Sequence, residues 1–103
     1  MDKVRLIANQ PALLRNLRVC AADSVGQLYN CGRCWKCLMT MVALLAVGAL
    51  DACPTLPHEI DPEAVKGASV PDQWYYWHEI FLALGSSPLE QSLKAVLKTC
   101  LDL

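Results

Sequence analysis

Three cysteines stand at i, i+3 and i+6 in Cys31-Gly32-Arg33-Cys34-Trp35-Lys36-Cys37. Thiolates at that spacing are suited to holding a metal. A divalent zinc ion takes four ligands in a tetrahedron, with zinc–sulfur distances of about 2.3 Å. Two cysteines separated by two residues reach one ion when the backbone between them turns tightly. Gly32, inside the first C-x-x-C, is the residue best able to adopt the positive φ of such a turn. Cys31, Cys34 and Cys37 therefore supply three ligands from one knuckle. Cys37 falls at the start of an apolar helix, whose free N–H groups and dipole favour thiolate. Four thiolates around zinc leave a net charge of about −2, which Arg33 and Lys36 on the same turn can partly offset.

The fourth ligand must come from elsewhere in the chain. Cys20 lies across a turn-rich loop, Ala21 to Asn30, long enough to fold back, with Asp23, Ser24, Gly26 and Asn30 as turn formers. Cys53 lies beyond the apolar helix, which separates it from the knuckle by about 20 Å unless the chain doubles back. Cys20 is the better fourth ligand, and Cys100, on an amphipathic helix, is most simply a small core residue. A site with four protein ligands leaves no open coordination position, so the expected metal is a structural zinc. Two other chemistries fit less well. The bacterial iron–sulfur pattern also opens with C-x2-C-x2-C, and Cys53-Pro54 supplies a Cys-Pro pair, but that pattern places its Cys-Pro close behind the triplet. A redox C-x-x-C belongs at a strand-to-helix turn of a thioredoxin-like unit, which this chain lacks.

Positioning such a site falls to helices. Asp2 to Arg18 reads as two helical pieces, with Val4, Leu6 and Ile7 as a first apolar stripe. Pro11 starts the second, capped by Asn9 or Gln10, with Leu13, Leu14 and Leu17 on a buried face. Val19-Cys20, short and β-branched, is extended or a strand remnant. The apolar run Leu38 to Leu50 reads as a buried core helix ending near Gly48 or Leu50. Asp51 to Val70 is loop-like, except for a short helix opened by Asp61-Pro62-Glu63 and stopped by Gly67. A helix from about Pro71 to Leu84 follows and ends at Gly85. Ser87-Pro88-Leu89-Glu90 is a capping box with proline at the first helical position. It opens a last helix whose face runs Leu89, Leu93, Val96, Leu97, Cys100. The fold class is all-α, with four to six helices, little or no sheet, and one domain over residues 1–103.

Composition agrees with a folded chain that a metal helps to stabilise. At 103 residues the core is thin, and 54% of residues are hydrophobic against 18% charged. A net charge of −1 gives no field that would attract nucleic acid or an anionic membrane. The start, Met1-Asp2-Lys3-Val4-Arg5, is charged and opens no secretory signal, so the six cysteines point to metal rather than to disulfides and the expected location is cytoplasmic. Leu38 to Leu50 falls short of the roughly 20 apolar residues that span a bilayer. Trp74-Tyr75-Tyr76-Trp77-His78 is dense in aromatics. Trp74, Trp77 and Leu84 share a helix face, and a core role is favoured over base stacking. His58 and His78 are isolated, Glu59, Asp61 and Glu63 read as a solvated acidic run, and no nucleophile motif or phosphate loop is present.

Lys3-Val-Arg-Leu-Ile7, Leu17-Arg-Val-Cys20 and Asn30-Cys-Gly-Arg-Cys-Trp-Lys-Cys37-Leu-Met39 together resemble the C-terminal part of the 7-cyano-7-deazaguanine synthase family of queuosine biosynthesis. The resemblance covers residues 2–50. It implies that Cys20, Cys31, Cys34 and Cys37 bind a structural zinc, matching the ligand set argued above. It implies no activity for this chain alone. The family's Ser-Gly-Gly-x-Asp-Ser pyrophosphate loop and strand–helix units are absent, and residues 51–103 do not match. The chain is then expected to be a non-catalytic C-terminal module or remnant of an ATP-dependent, nucleotide-hydrolase-like enzyme. Its partner would be the missing catalytic domain or a second copy. A free-standing zinc-dependent protein-interaction module is the alternative.

Overall fold

The computed structural model describes residues 1–20, 30–68 and 71–103. The expected loop before Asn30 otherwise lies outside the described residues. Among the described residues six α-helices carry the fold: α1 (Asp2–Ala8), α2 (Pro11–Arg15), α3 (Trp35–Ala46), α4 (Pro62–Lys66), α5 (Trp74–Ala83) and α6 (Pro88–Leu101). No strand occurs among the described residues, so the all-α expectation holds. Among the described residues no helix is long and apolar enough to cross a membrane.

Helix α3 is the axis. Cys37, Leu38 and the consecutive run Met41, Val42, Ala43, Leu44 are all buried, which requires cover on several sides. That cover comes from α1, α4 and α5, while α6 packs on α4 and α5. The helix ends at Ala46 with Val47 as its C-cap, and Gly48 just beyond has a φ of +76°, in the left-handed region. Ala49 N–H donates to Leu44 O and Gly48 N–H to Leu45 O, the paired bonds of a Schellman closure. A short 3-10 turn, Leu50–Ala52, leads into the segment that returns towards α2.

The proline-led starts behave as their chemistry requires. Asp61 accepts the Glu63 N–H at the head of α4, and Gly67 stands at its C-terminus. Ser87 accepts the Glu90 N–H at the head of α6. The Glu90 carboxylate accepts the Ser87 hydroxyl at 2.8 Å and also reaches back to the Gly85 N–H. At the first junction the two candidate caps divide the work. Gln10 occupies the N-cap of α2 without a side-chain bond, while the Asn9 side chain donates to Arg5 O and closes α1. The helix expected from Pro71 to Leu84 opens instead with a 3-10 turn, Pro71–Gln73, before α5.

Two apolar stripes are narrower than their periodicity suggests. Leu14 is buried and Leu17 half-buried, but Leu13 and Leu6 are exposed. Short helices on the outside of a small domain have too little neighbouring surface to cover more than one turn face. On α6, Leu93 and Leu97 are buried as expected, and Leu101 joins them. One continuous core runs from Leu14 through α3, Cys53, Leu56 and Val65 to Trp77, Ile80 and Leu101. The knuckle half and the helical second half therefore share a single hydrophobic interior.

Candidate metal centre

The four cysteines singled out by spacing come together: the sulfurs of Cys20, Cys31, Cys34 and Cys37 all lie within 4.8 Å of one another. The local backbone explains how. Gly32 has φ +75°, and a Cβ built on it would stand 2.5 Å from Pro57 Cγ and 2.9 Å from Pro57 Cδ. Glycine is thus demanded twice, by the turn and by the proline pressed against it. The turn aims two N–H groups at one sulfur, with Arg33 N and Cys34 N lying 3.4 and 3.3 Å from Cys31 Sγ. Cys34 is the N-cap of α3, where its sulfur accepts the Cys37 N–H at 3.5 Å. Cys37 then sits in the first turn, fully buried.

Cys20 arrives on an extended arm, and Asn30 holds it. Val19 N–H and Cys20 N–H donate to Asn30 Oδ1 at 2.8 and 3.0 Å. Asn30 Nδ2 donates to Leu17 O at 3.0 Å and to Thr55 O at 2.9 Å. Thr55 Oγ1 adds a bond to Leu17 O at 2.6 Å. Asn30 is itself buried, so one side chain satisfies four backbone groups that have no helix or sheet to pair with. By residue type Asn30 reads as a turn former at the head of the knuckle segment, not as a buried clamp. The available signal was its place directly before Cys31.

Two opposite edges of the donor set fit a tetrahedral ion, and all four sulfurs lie within 4.8 Å of one another. Four sulfurs about 2.3 Å from a central metal are separated along each tetrahedron edge by about 3.8 Å. Cys31 and Cys37 sulfurs are 3.8 Å apart, and those of Cys34 and Cys20 are 3.9 Å apart. Electrostatics agree. The N–H groups of Arg33 and Cys34 bring the Cys31 thiol down to about 6. Burial pushes the Cys37 thiol up, against the Gly32 N–H, and the neighbouring Cys34 and Cys31 add to the rise. A cation among the sulfurs reverses that penalty, because a coordinating thiol is deprotonated outright. Cys20 and Cys37 are buried while Cys31 and Cys34 are half-exposed, so the centre lies at the rim of the core.

The remaining candidates stand apart. Cys53 is buried with its thiol 3.5 Å from Leu14 O and from Thr55 Oγ1, and Cys100 is half-buried on α6. His58 bonds Cys53 O at 2.8 Å, and His78 stacks on Trp74 with centroids 4.6 Å apart. Trp77 and Leu84 are buried, as the core reading of that aromatic helix required. Lys36 lies over the Trp35 ring, 5.6 Å from its centre, and Arg33 is exposed. The Glu59, Asp61 and Glu63 run is exposed as well. Among the described residues the four cysteines are the sole grouping of His, Cys, Asp and Glu with metal-ligand geometry. No family model, curated protein or solved structure matches the chain.

Proposed function

We propose that this chain is a structural zinc module in which Cys20, Cys31, Cys34 and Cys37 hold one zinc ion and tie the extended Cys20 arm to the head of α3. The observation that carries this reading is the match of the 3.8 and 3.9 Å sulfur separations to the edges of a tetrathiolate tetrahedron. The role is structural because four protein ligands leave no position for a substrate or an activated water. A four-iron cluster suits the geometry less well, since its own irons and sulfides would spread the ligand sulfurs apart.

Elemental analysis of the purified protein tests the reading directly, with one zinc per chain expected. Structural zinc contributes an apparent binding free energy of about 10–16 kcal/mol, against domain stabilities of about 5–15 kcal/mol. A strong chelator, or Cys34→Ser, should therefore unfold the chain. With one core shared by both halves, loss of helix should extend beyond residues 2–50 to α5 and α6. A native circular dichroism spectrum after complete zinc removal would refute the structural role.

The finer reading places the module at the C-terminal end of a larger enzyme similar to 7-cyano-7-deazaguanine synthase, lacking the catalytic half itself. It is supported by the resemblance of the Asn30–Met39 knuckle and the two shorter segments before it. A pyrophosphate-loop domain encoded upstream in the same reading frame is the expected finding, and its absence would favour a free-standing interaction module. The latter draws support from an open groove of about 650 Å³ in which Met1, Val4, Met39, Tyr76 and Leu82 are interleaved with the charged Asp2, Lys3, Arg5 and Glu79.

A further inference from the structure

The ligand set has an unequal construction. Cys31, Cys34 and Cys37 are fixed by one turn and the first turn of α3, so their geometry is local. Cys20 is different. It lies on an extended arm with no helix or strand to hold it, yet its sulfur stands 3.9 Å from that of Cys34. Three hydrogen bonds that hold this arm converge on one side chain. Asn30 Oδ1 takes the N–H of Cys20 and of its neighbour Val19, and Nδ2 takes Leu17 O on the same arm. The fourth bond, to Thr55 O, anchors the clamp to the segment behind it. Asn30 directly precedes Cys31, so the clamp links the fourth ligand to the first across a single peptide.

We infer that Asn30 is the positioning residue of the metal centre, holding Cys20 in reach so that the site takes four thiolates rather than three. The inference rests on the tetrathiolate reading above. Its physical basis is twofold. A buried amide is the one common side chain offering an acceptor and a donor fork together, and here both ends are used. Removing it leaves the Val19 and Cys20 N–H groups without their acceptor, so the arm must move to find water. Residues that orient ligands without touching the metal typically change affinity by about 10–100-fold when lost.

Cobalt(II) in place of zinc provides the test, because its sulfur-to-metal charge-transfer intensity rises with the number of bound thiolates. The full chain should bind one cobalt with a four-thiolate spectrum. Asn30→Ala should bind about 10–100-fold more weakly and show the three-thiolate spectrum of Cys20→Ser. The double variant should lose little beyond Cys20→Ser alone, since both act on one ligand. Thr55→Val removes the hydroxyl bond to Leu17 O but leaves Asn30 and Cys20 joined. It should lower stability while keeping the four-thiolate spectrum, which separates positioning from general support. An Asn30→Ala chain with undiminished affinity and a four-thiolate spectrum would overturn the inference while leaving the metal reading intact. Loss of all cobalt binding, beyond that of Cys20→Ser, would also overturn it, since Asn30 would then be holding the fold rather than the ligand. A wild-type chain that takes up no cobalt and no zinc would defeat the metal reading and the inference with it.

Discussion

Replacing Gly32 with alanine adds one methyl group at a point where two separate obstacles meet. The first is conformational: φ is +75°, and an L-residue in the left-handed region costs about 1–2 kcal/mol. The second is steric, because the new Cβ would lie 2.5 Å from Pro57 Cγ and 2.9 Å from Pro57 Cδ. Relieving such overpacking costs about 1–3 kcal/mol. The sum, about 2–5 kcal/mol, should appear in urea unfolding of the zinc-saturated chain followed by circular dichroism, with zinc concentration fixed. Gly48 supplies the internal reference. Its φ is +76°, but a Cβ there meets nothing within 4 Å, so Gly48→Ala should cost the conformational part alone. Pro57→Ala removes both offending carbons, leaving a Cβ at an ordinary 3.7 Å. In the Gly32→Ala background it should recover about 1–3 kcal/mol, a coupling well above the roughly 0.5 kcal/mol expected of independent sites. Equal costs at Gly32 and Gly48, with no coupling to Pro57, would refute the close approach of Pro57 to the knuckle.

Two further substitutions probe the second half. Trp77 is fully buried, and its indole Nε1–H has no partner among the described residues. Trp77→Phe leaves a small cavity but removes an unpaired donor worth about 1–3 kcal/mol, so the net change in urea stability should lie within about 1 kcal/mol of zero. A loss above about 2 kcal/mol would show that the N–H is satisfied. At the head of α6, the Gly85 N–H first, and the Ser87 hydroxyl second, hold the Glu90 carboxyl below its ordinary value. A depressed carboxyl contributes stability that is complete above its unfolded value of about 4.3 and is lost as pH falls through the lower folded value. The stability difference between Glu90→Gln and the parent, both measured with the same excess of zinc, should therefore be flat from pH 8 to pH 5. A difference that shrinks across that interval would contradict the assignment.

The metal centre was legible because its signals are local. Cysteine spacing, a glycine in the turn and the head of an apolar helix are all contained in Cys31–Cys37, and each corresponds to a bond or angle in the structure. The caps of α4 and α6 were legible for the same reason, each lying within a four-residue window. Helix length alone did not settle Cys20 over Cys53, because the chain does double back after α3 and brings Thr55 and Pro57 against Asn30 and Gly32. What sets Cys53 apart is where its thiol goes, to Leu14 O and Thr55 Oγ1, outside the four-sulfur cluster.

What the sequence concealed depends on contacts between distant segments. Nothing near Pro57 marks it as the surface against which Gly32 turns, because their meeting is set by how the chain returns after α3. The exposure of Leu6 and Leu13 likewise follows from which neighbours a short outer helix finds, and periodicity cannot count neighbours. Asn30 is the strongest case. As a residue type it signals a turn; as a buried side chain it spans Leu17, Val19, Cys20 and Thr55, and so carries the metal centre into the same cooperative unit as the helices behind it. Through that bond to Thr55, a metal ion held by the four cysteines would bear on the stability of α5 and α6. Thr55 belongs to a segment flanked by Cys53 and Leu56, and those two side chains are built into the core that Trp77 and Leu97 complete.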